Sequence, residues 1–119
     1  MDAKKIVIVD EDGFGRVCCA LLEMYGYLPE HLSHCEDFSR RCNDDCYDLV
    51  ITSYPYGSEI LQDIETRELK TIVLSDFITP ELLSKIKGLS NVICLTKPLD
   101  FGNFREVISK MMVSKGSIN

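Results

Sequence analysis

Acids, hydroxyls and a single lysine stand where four short apolar runs of this chain end. Asp10-Glu11-Asp12 follows Lys5–Val9, Ser53 follows Asp48–Thr52, Ser75-Asp76 follows Lys70–Leu74, and Thr96-Lys97-Pro98 follows Asn91–Leu95. Ligands of open parallel sheets bind beyond the carboxyl ends of the strands, so these groups are expected to line one pocket. Within it Lys97 is expected to form an ion pair with Asp10 or Glu11, worth little if exposed and more if partly buried. His31 and His34 belong to a different part of the chain, which leaves the Ser53 hydroxyl without a neighbouring base to activate it.

Other residue types offer other chemistry, and each offer is weak. His31, His34, Cys35, Cys42 and Cys46 could be read as a metal cluster, but there is no CxxC pair and the spacing fits no common zinc module. None of the six cysteines has an evident histidine or cationic partner in sequence to make a reactive thiolate, and small, partly buried thiols are expected. The turn Glu11-Asp12-Gly13-Phe14-Gly15 contains a lone GxG, yet carboxylates stand where a phosphate cradle needs bare backbone amides. A small flavodoxin-like cofactor enzyme or a thiol enzyme is therefore the remote alternative, and no enzymatic activity is expected.

The elements that would position these residues can be read from pattern. The four apolar runs are continuous, as in strands buried on both faces of a parallel sheet. Tyr27–His34 is a weaker fifth strand, and Pro29 pushes it to an edge because proline cannot donate to a ladder. Phe14, Val17, Leu21 and Met24 share one helical face ended by Gly26, and Phe104, Val107, Ile108 and Met111 share another after an Asp100 cap. Thr79–Gly88 has a Thr cap, Pro80 in its first turn, a stripe of Leu82, Leu83 and Ile86, and a terminal glycine. Shorter helices are expected over Asp37–Asn43 and Ser58–Thr66. The result is a flavodoxin-like (βα)5 fold of the α/β class, a doubly wound parallel sheet of order 2-1-3-4-5. It spans residues 1–113, followed by a polar tail, 114–119.

The bulk numbers agree with one such domain. There are 119 residues, 45% of them hydrophobic, enough for a single core between layers. With 13 basic and 19 acidic residues the formal charge is -6, which opposes binding to nucleic acid and to anionic membranes. The apolar run near the N-terminus is too short for a signal peptide or a membrane span. A cytoplasmic location with reduced thiols is the corresponding expectation.

From Lys4 to about Met112 the chain resembles the receiver domain of two-component response regulators. The matching segments are IVIVDED with its acidic pair Asp10 and Glu11, YDLVITS, TIVLS ending in Ser75, and LTKPLD with Lys97-Pro98, 22 residues beyond Ser75. The resemblance implies that the acidic pair and a third-strand aspartate hold Mg²⁺, that this aspartate takes a phosphoryl group from a histidine kinase, and that the hydroxyl and lysine report its arrival. It also implies a cis peptide at Lys97-Pro98.

The departures from that pattern bear on function. The phosphoacceptor position is Ser53, and loss of its carboxylate weakens Mg²⁺ as well as acyl-phosphate chemistry, leaving at most a weak or unoccupied metal position at Asp10 and Glu11. Asp76 replaces the usual small residue after the hydroxyl, Cys94 replaces the switch aromatic, and Pro55, two residues past Ser53, marks a shortened third unit. The expected function is an atypical receiver domain, a pseudo-receiver that signals through protein contacts without aspartate phosphorylation. The alternative is a phosphoaccepting receiver that uses a relocated acid such as Asp76. The resemblance implies a histidine kinase or an output protein as partner, and a contact or homodimer face on the fourth helix, fifth strand and fifth helix, including Lys85, Lys87, Phe101 and Arg105.

Overall fold

A computed structural model describes residues 4–44 and 47–114. Five parallel strands form one sheet in the order β2-β1-β3-β4-β5: β1 (Lys5–Val9), β2 (Leu28–Leu32), β3 (Leu49–Ser53), β4 (Thr71–Ser75) and β5 (Val92–Thr96). The helices are α1 (Asp12–Met24), α2 (Cys35–Asp44), α3 (Leu61–Arg67), α4 (Pro80–Ile86) and α5 (Phe101–Ser114), with a 3₁₀ turn at Ser58–Ile60 before α3. The expected flavodoxin-like architecture and strand order are those observed. Of the expected tail, 114–119, Ser114 instead ends α5, and residues 115–119, like Cys46, lie outside the described residues.

Alternation along the central strands explains why their apolar runs are unbroken. Ile6 and Ile8 of β1, Leu49 and Ile51 of β3, and Ile72 and Leu74 of β4 meet Cys18 and Leu22 of α1 and Phe104, Ile108 and Met111 of α5. Val7, Val9 and Val50 face the opposite layer, where Phe38 of α2 and Ile64 of α3 close the core with Ile60. Both faces of the sheet are covered, so neither can be polar. Each fully buried side chain of this size contributes about 1.5–3 kcal/mol. The edge strands differ: β2 is half-buried, and β5, expected to be buried on both faces, is only partly covered, with Ile93 39% exposed. Among the described residues no further strand covers the outer side of β5.

The helix boundaries have local causes. Thr79 Oγ1 accepts from the Leu82 N–H at 3.1 Å and Pro80 occupies the first turn of α4. Asp100 Oδ1 accepts from the Asn103 N–H at 3.0 Å, starting α5. Gly26, with φ of 93°, lets the chain leave α1 while the Tyr27 N–H returns to the Leu22 carbonyl at 3.1 Å.

One helical face differs from expectation. In α1 the residues turned to the sheet are Gly15, Cys18 and Leu22, whereas Val17 is 57% and Met24 79% exposed, with Phe14 and Leu21 half-buried. The helix carries apolar residues on two adjacent faces, and sequence periodicity alone cannot say which of them meets a sheet. In α4 likewise Leu82 is buried but Leu83 is 50% exposed.

Candidate functional site

The strand ends converge at the carboxyl edge of the sheet, and the Ser53 side chain is paired there. Its hydroxyl donates to Asp10 Oδ2, while Asp10 Oδ1 accepts from the Glu11 N–H at 2.8 Å. Asp10 is 1% and Ser53 5% exposed, so both carboxylate oxygens are engaged away from water. Glu11 itself is exposed and opens α1 as its cap residue, without a side-chain cap bond. A hard divalent cation needs several free oxygen ligands. This pocket has one buried carboxylate already bonded twice and a hydroxyl in place of a second acid, which does not fit Mg²⁺.

The other strand-end groups are drawn away from that pair. Ser75 is buried and its hydroxyl donates to the Phe77 carbonyl at 2.8 Å, within its own loop. Asp76 is exposed to solvent. The expected ion pair of Lys97 with Asp10 or Glu11 is not formed: Lys97 Nζ lies 5.1 Å from the centroid of the Phe14 ring, and no ion pair of Lys97 is found among the described residues. The physical reason is that Asp10 is buried and satisfied by Ser53 and the Glu11 amide, while the half-exposed Phe14 ring offers the ammonium a partner at the surface. Cys94 is half-buried on β5, opposite Val73, and burial raises its thiol above the ordinary range.

The loop after β3 folds back onto the end of its own strand. The Gly57 N–H donates to the Ser53 carbonyl at 2.7 Å, and Gly57 packs against Thr52, whose hydroxyl donates to the Val9 carbonyl at 2.6 Å, so a side chain at 57 would collide with it. Tyr56 donates its hydroxyl to the Ser33 carbonyl, and the Cys35 thiol donates to the Tyr56 carbonyl at 3.3 Å. These bonds tie the shortened third unit to the β2–α2 connection. Tyr54-Pro55 and Lys97-Pro98 are both cis, the second as expected.

Sequence reasoning missed His31. It was expected away from the pocket, yet its Nε2–H donates to the Asp10 carbonyl at 2.8 Å and its ring crosses α1 where Gly15 lacks a side chain. Pairing of β1 with β2 puts His31 beside Ile8, two residues from Asp10, a proximity that only the sheet register creates. A glycine inside a helix costs about 1 kcal/mol relative to alanine and was the available signal that something approaches closely.

The described cysteines are poor nucleophiles. Burial, with smaller contributions from Cys19 and Asp10, pushes the Cys18 thiol up to about 12. Burial is also the first cause raising Cys19, Cys35 and Cys42. A thiolate is the reactive species, so these environments disfavour the thiol-enzyme alternative. Among the described residues no group of three or more His, Cys, Asp and Glu side chains is placed to hold a metal ion. No helix among them is long and apolar enough to cross a membrane.

The partner-face residues separate in space. Lys85 and Lys87 are exposed on and just after α4, but Phe101 lines a groove with Phe14 and Val17, and the Arg105 guanidinium lies 4.6 Å from the Tyr25 ring centroid. The last two therefore belong to the α1 side of α5, because α1 and α5 pack on the same layer of the sheet.

A five-stranded parallel sheet of this order, covered by helices on both faces, is the fold of solved receiver domains. A receiver domain of an HD domain-containing protein from Pseudomonas fluorescens superimposes with a TM-score of 0.85 at 18% identity, covering 98% of this chain and 92% of that one. A CheY-like response regulator receiver domain from Methanospirillum hungatei gives 0.84 at 18% identity, covering 96% and 97%. The receiver domain of a signal transduction histidine kinase from Syntrophus aciditrophicus gives 0.83 at 17%, covering 98% and 96%. The sequence matches no family model and no curated protein.

Proposed function

We propose that this chain is a pseudo-receiver of two-component signalling, which binds a protein partner without being phosphorylated on aspartate. The observation that carries the reading is the buried Ser53–Asp10 hydrogen bond at the position where a receiver presents its acceptor carboxylate. An unactivated hydroxyl cannot replace a carboxylate in metal-assisted in-line phosphoryl transfer. Asp10 and Glu11 are then at most a weak Mg²⁺ position, and the input that would switch a phosphorylated receiver is missing. The partner is a kinase or an output protein. Exposed Lys85, Lys87, Leu83 and Ile93 on the α4–β5 edge supply a mixed apolar and cationic contact surface for it.

The test is incubation with a small acyl-phosphate donor and Mg²⁺, read by intact mass. The unaltered chain should accumulate no phosphorylated species, and Asp76→Asn should change nothing. Ser53→Asp should acquire at least partial labelling. Robust labelling of the unaltered chain would overturn the reading, and its loss in Asp76→Asn would assign the acceptor to that acid.

A further inference from the structure

The second apolar face of α1 is left open by this fold, and its residues are arranged to meet a copy of themselves. Val17 and Met24 are 57% and 79% exposed, and Gly13 and Ala20 lie exposed beside them. Positions 13, 17, 20 and 24 are spaced four, three and four, the repeat of a helix–helix seam. On one flank Phe14, Leu21 and Phe101 line a groove of about 390 Å³ between α1 and the start of α5. On the other flank Arg16 and Glu23 are exposed, and among the described residues neither has an ion-pair partner. Seven residues apart, they are roughly 10 Å apart along the helix axis, beyond the spacing at which helical side chains pair within one helix.

We infer that α1 forms an antiparallel, isologous homodimer with α1 of a second copy. A two-fold axis at the midpoint between Cys18 and Cys19 sets Gly13 opposite Met24 of the partner subunit and Val17 opposite the partner's Ala20. Each large exposed side chain then faces a small residue, which allows close approach. The same axis brings Arg16 alongside the partner's Glu23 on one flank, twice by symmetry, and sets the apolar residues of both grooves together on the other. A C2 interface requires a self-complementary surface. Here charge and side-chain size are both complementary under one operation. A parallel arrangement would set Met24 against Met24 and lay the charged flank of each helix against the apolar flank of the other. The inference does not depend on the chemistry at Ser53, and it places self-association on α1 and the adjoining start of α5, leaving the α4–β5 edge free.

Sedimentation equilibrium of the full chain tests it with a charge exchange. The unaltered chain should dimerise reversibly. Arg16→Glu and Glu23→Arg should each raise the dimer dissociation constant by about tenfold or more, because like charges then meet across the axis. The double variant R16E/E23R should return to near the original value, and an equimolar mixture of the two single variants should form the heterodimer. Circular dichroism of each variant checks that these surface changes leave the fold intact. A chain that stays monomeric at millimolar concentration would overturn the inference, as would a dimer indifferent to the single reversals, a double variant no better than either single one, or a monomer that uses α1 only to bind a different protein.

Discussion

Ser53→Asp probes the pocket most sharply, because it exchanges a hydroxyl that donates to Asp10 for a second carboxylate against it. Both positions are almost inaccessible, at 1% and 5% exposure, so solvent screens the pair poorly. Two like charges about 4 Å apart repel by about 4 kcal/mol at an effective dielectric of about 20. A lost hydrogen bond to a charged group adds about 1.5–3 kcal/mol, while movement of the new side chain and proton uptake by one carboxylate limit the total. A net loss of roughly 2–4 kcal/mol at neutral pH is expected. An unfolding entropy of about 2.1 cal/mol/K per residue, over a chain of this length, makes that a fall of roughly 8–16 °C in Tm. Ser53→Asn is the control, since it matches aspartate in size and keeps a donor toward Asp10, and should cost about 1 kcal/mol.

The repulsion exists only while both groups are charged. The deficit of Ser53→Asp relative to Ser53→Asn should therefore shrink as pH falls into the carboxylate range and be fully present above it. Millimolar Mg²⁺ should restore part of the stability of the aspartate variant at neutral pH, because a cation binds the folded state only where carboxylates are clustered, and should leave the unaltered chain unchanged. Thermal melts at acid and neutral pH, with and without Mg²⁺, measure all of this. Melting of the two variants within about 2 °C of each other at neutral pH without metal would refute the apposition of position 53 and Asp10.

Gly15→Ala should cost about 1–3 kcal/mol in denaturant unfolding, because the added methyl collides with the His31 ring, and His31→Ala in the same chain should recover much of the loss. The Cys18 thiol, raised by burial to about 12, stays protonated in the folded state at pH values where the unfolded chain ionises it. Stability should thus fall as pH rises from about 9 toward 12, with a slope of at most about 1.4 kcal/mol per pH unit from this group, and Cys18→Val should flatten the curve in alkaline chemical denaturation.

The layers and the order of the sheet were legible because their causes are local. A strand covered on both faces must be apolar along most of its length, Pro29 must sit where no ladder donor is needed, and Thr79-Pro80 caps a helix by bonds within one turn. The gathering of Asp10, Ser53, Ser75 and Lys97 at one edge also follows from connectivity, since parallel strands end on the same side. What those side chains do to one another was decided by tertiary structure. Ser53 and Asp10 are 43 residues apart and bond because β1 and β3 are neighbours. Lys97 lies over Phe14 and not on Asp10, which Ser53 and the Glu11 amide already satisfy, and His31 reached the Asp10 carbonyl through the β1–β2 register and the gap at Gly15. The two apolar faces of α1 are the clearest division. Residue types set their 3.6-residue spacing, but only packing of α1 and α5 onto one layer determined that Cys18 and Leu22 are buried and Val17 and Met24 exposed, because a helix rotation is chosen by the surface it meets and not by the helix alone.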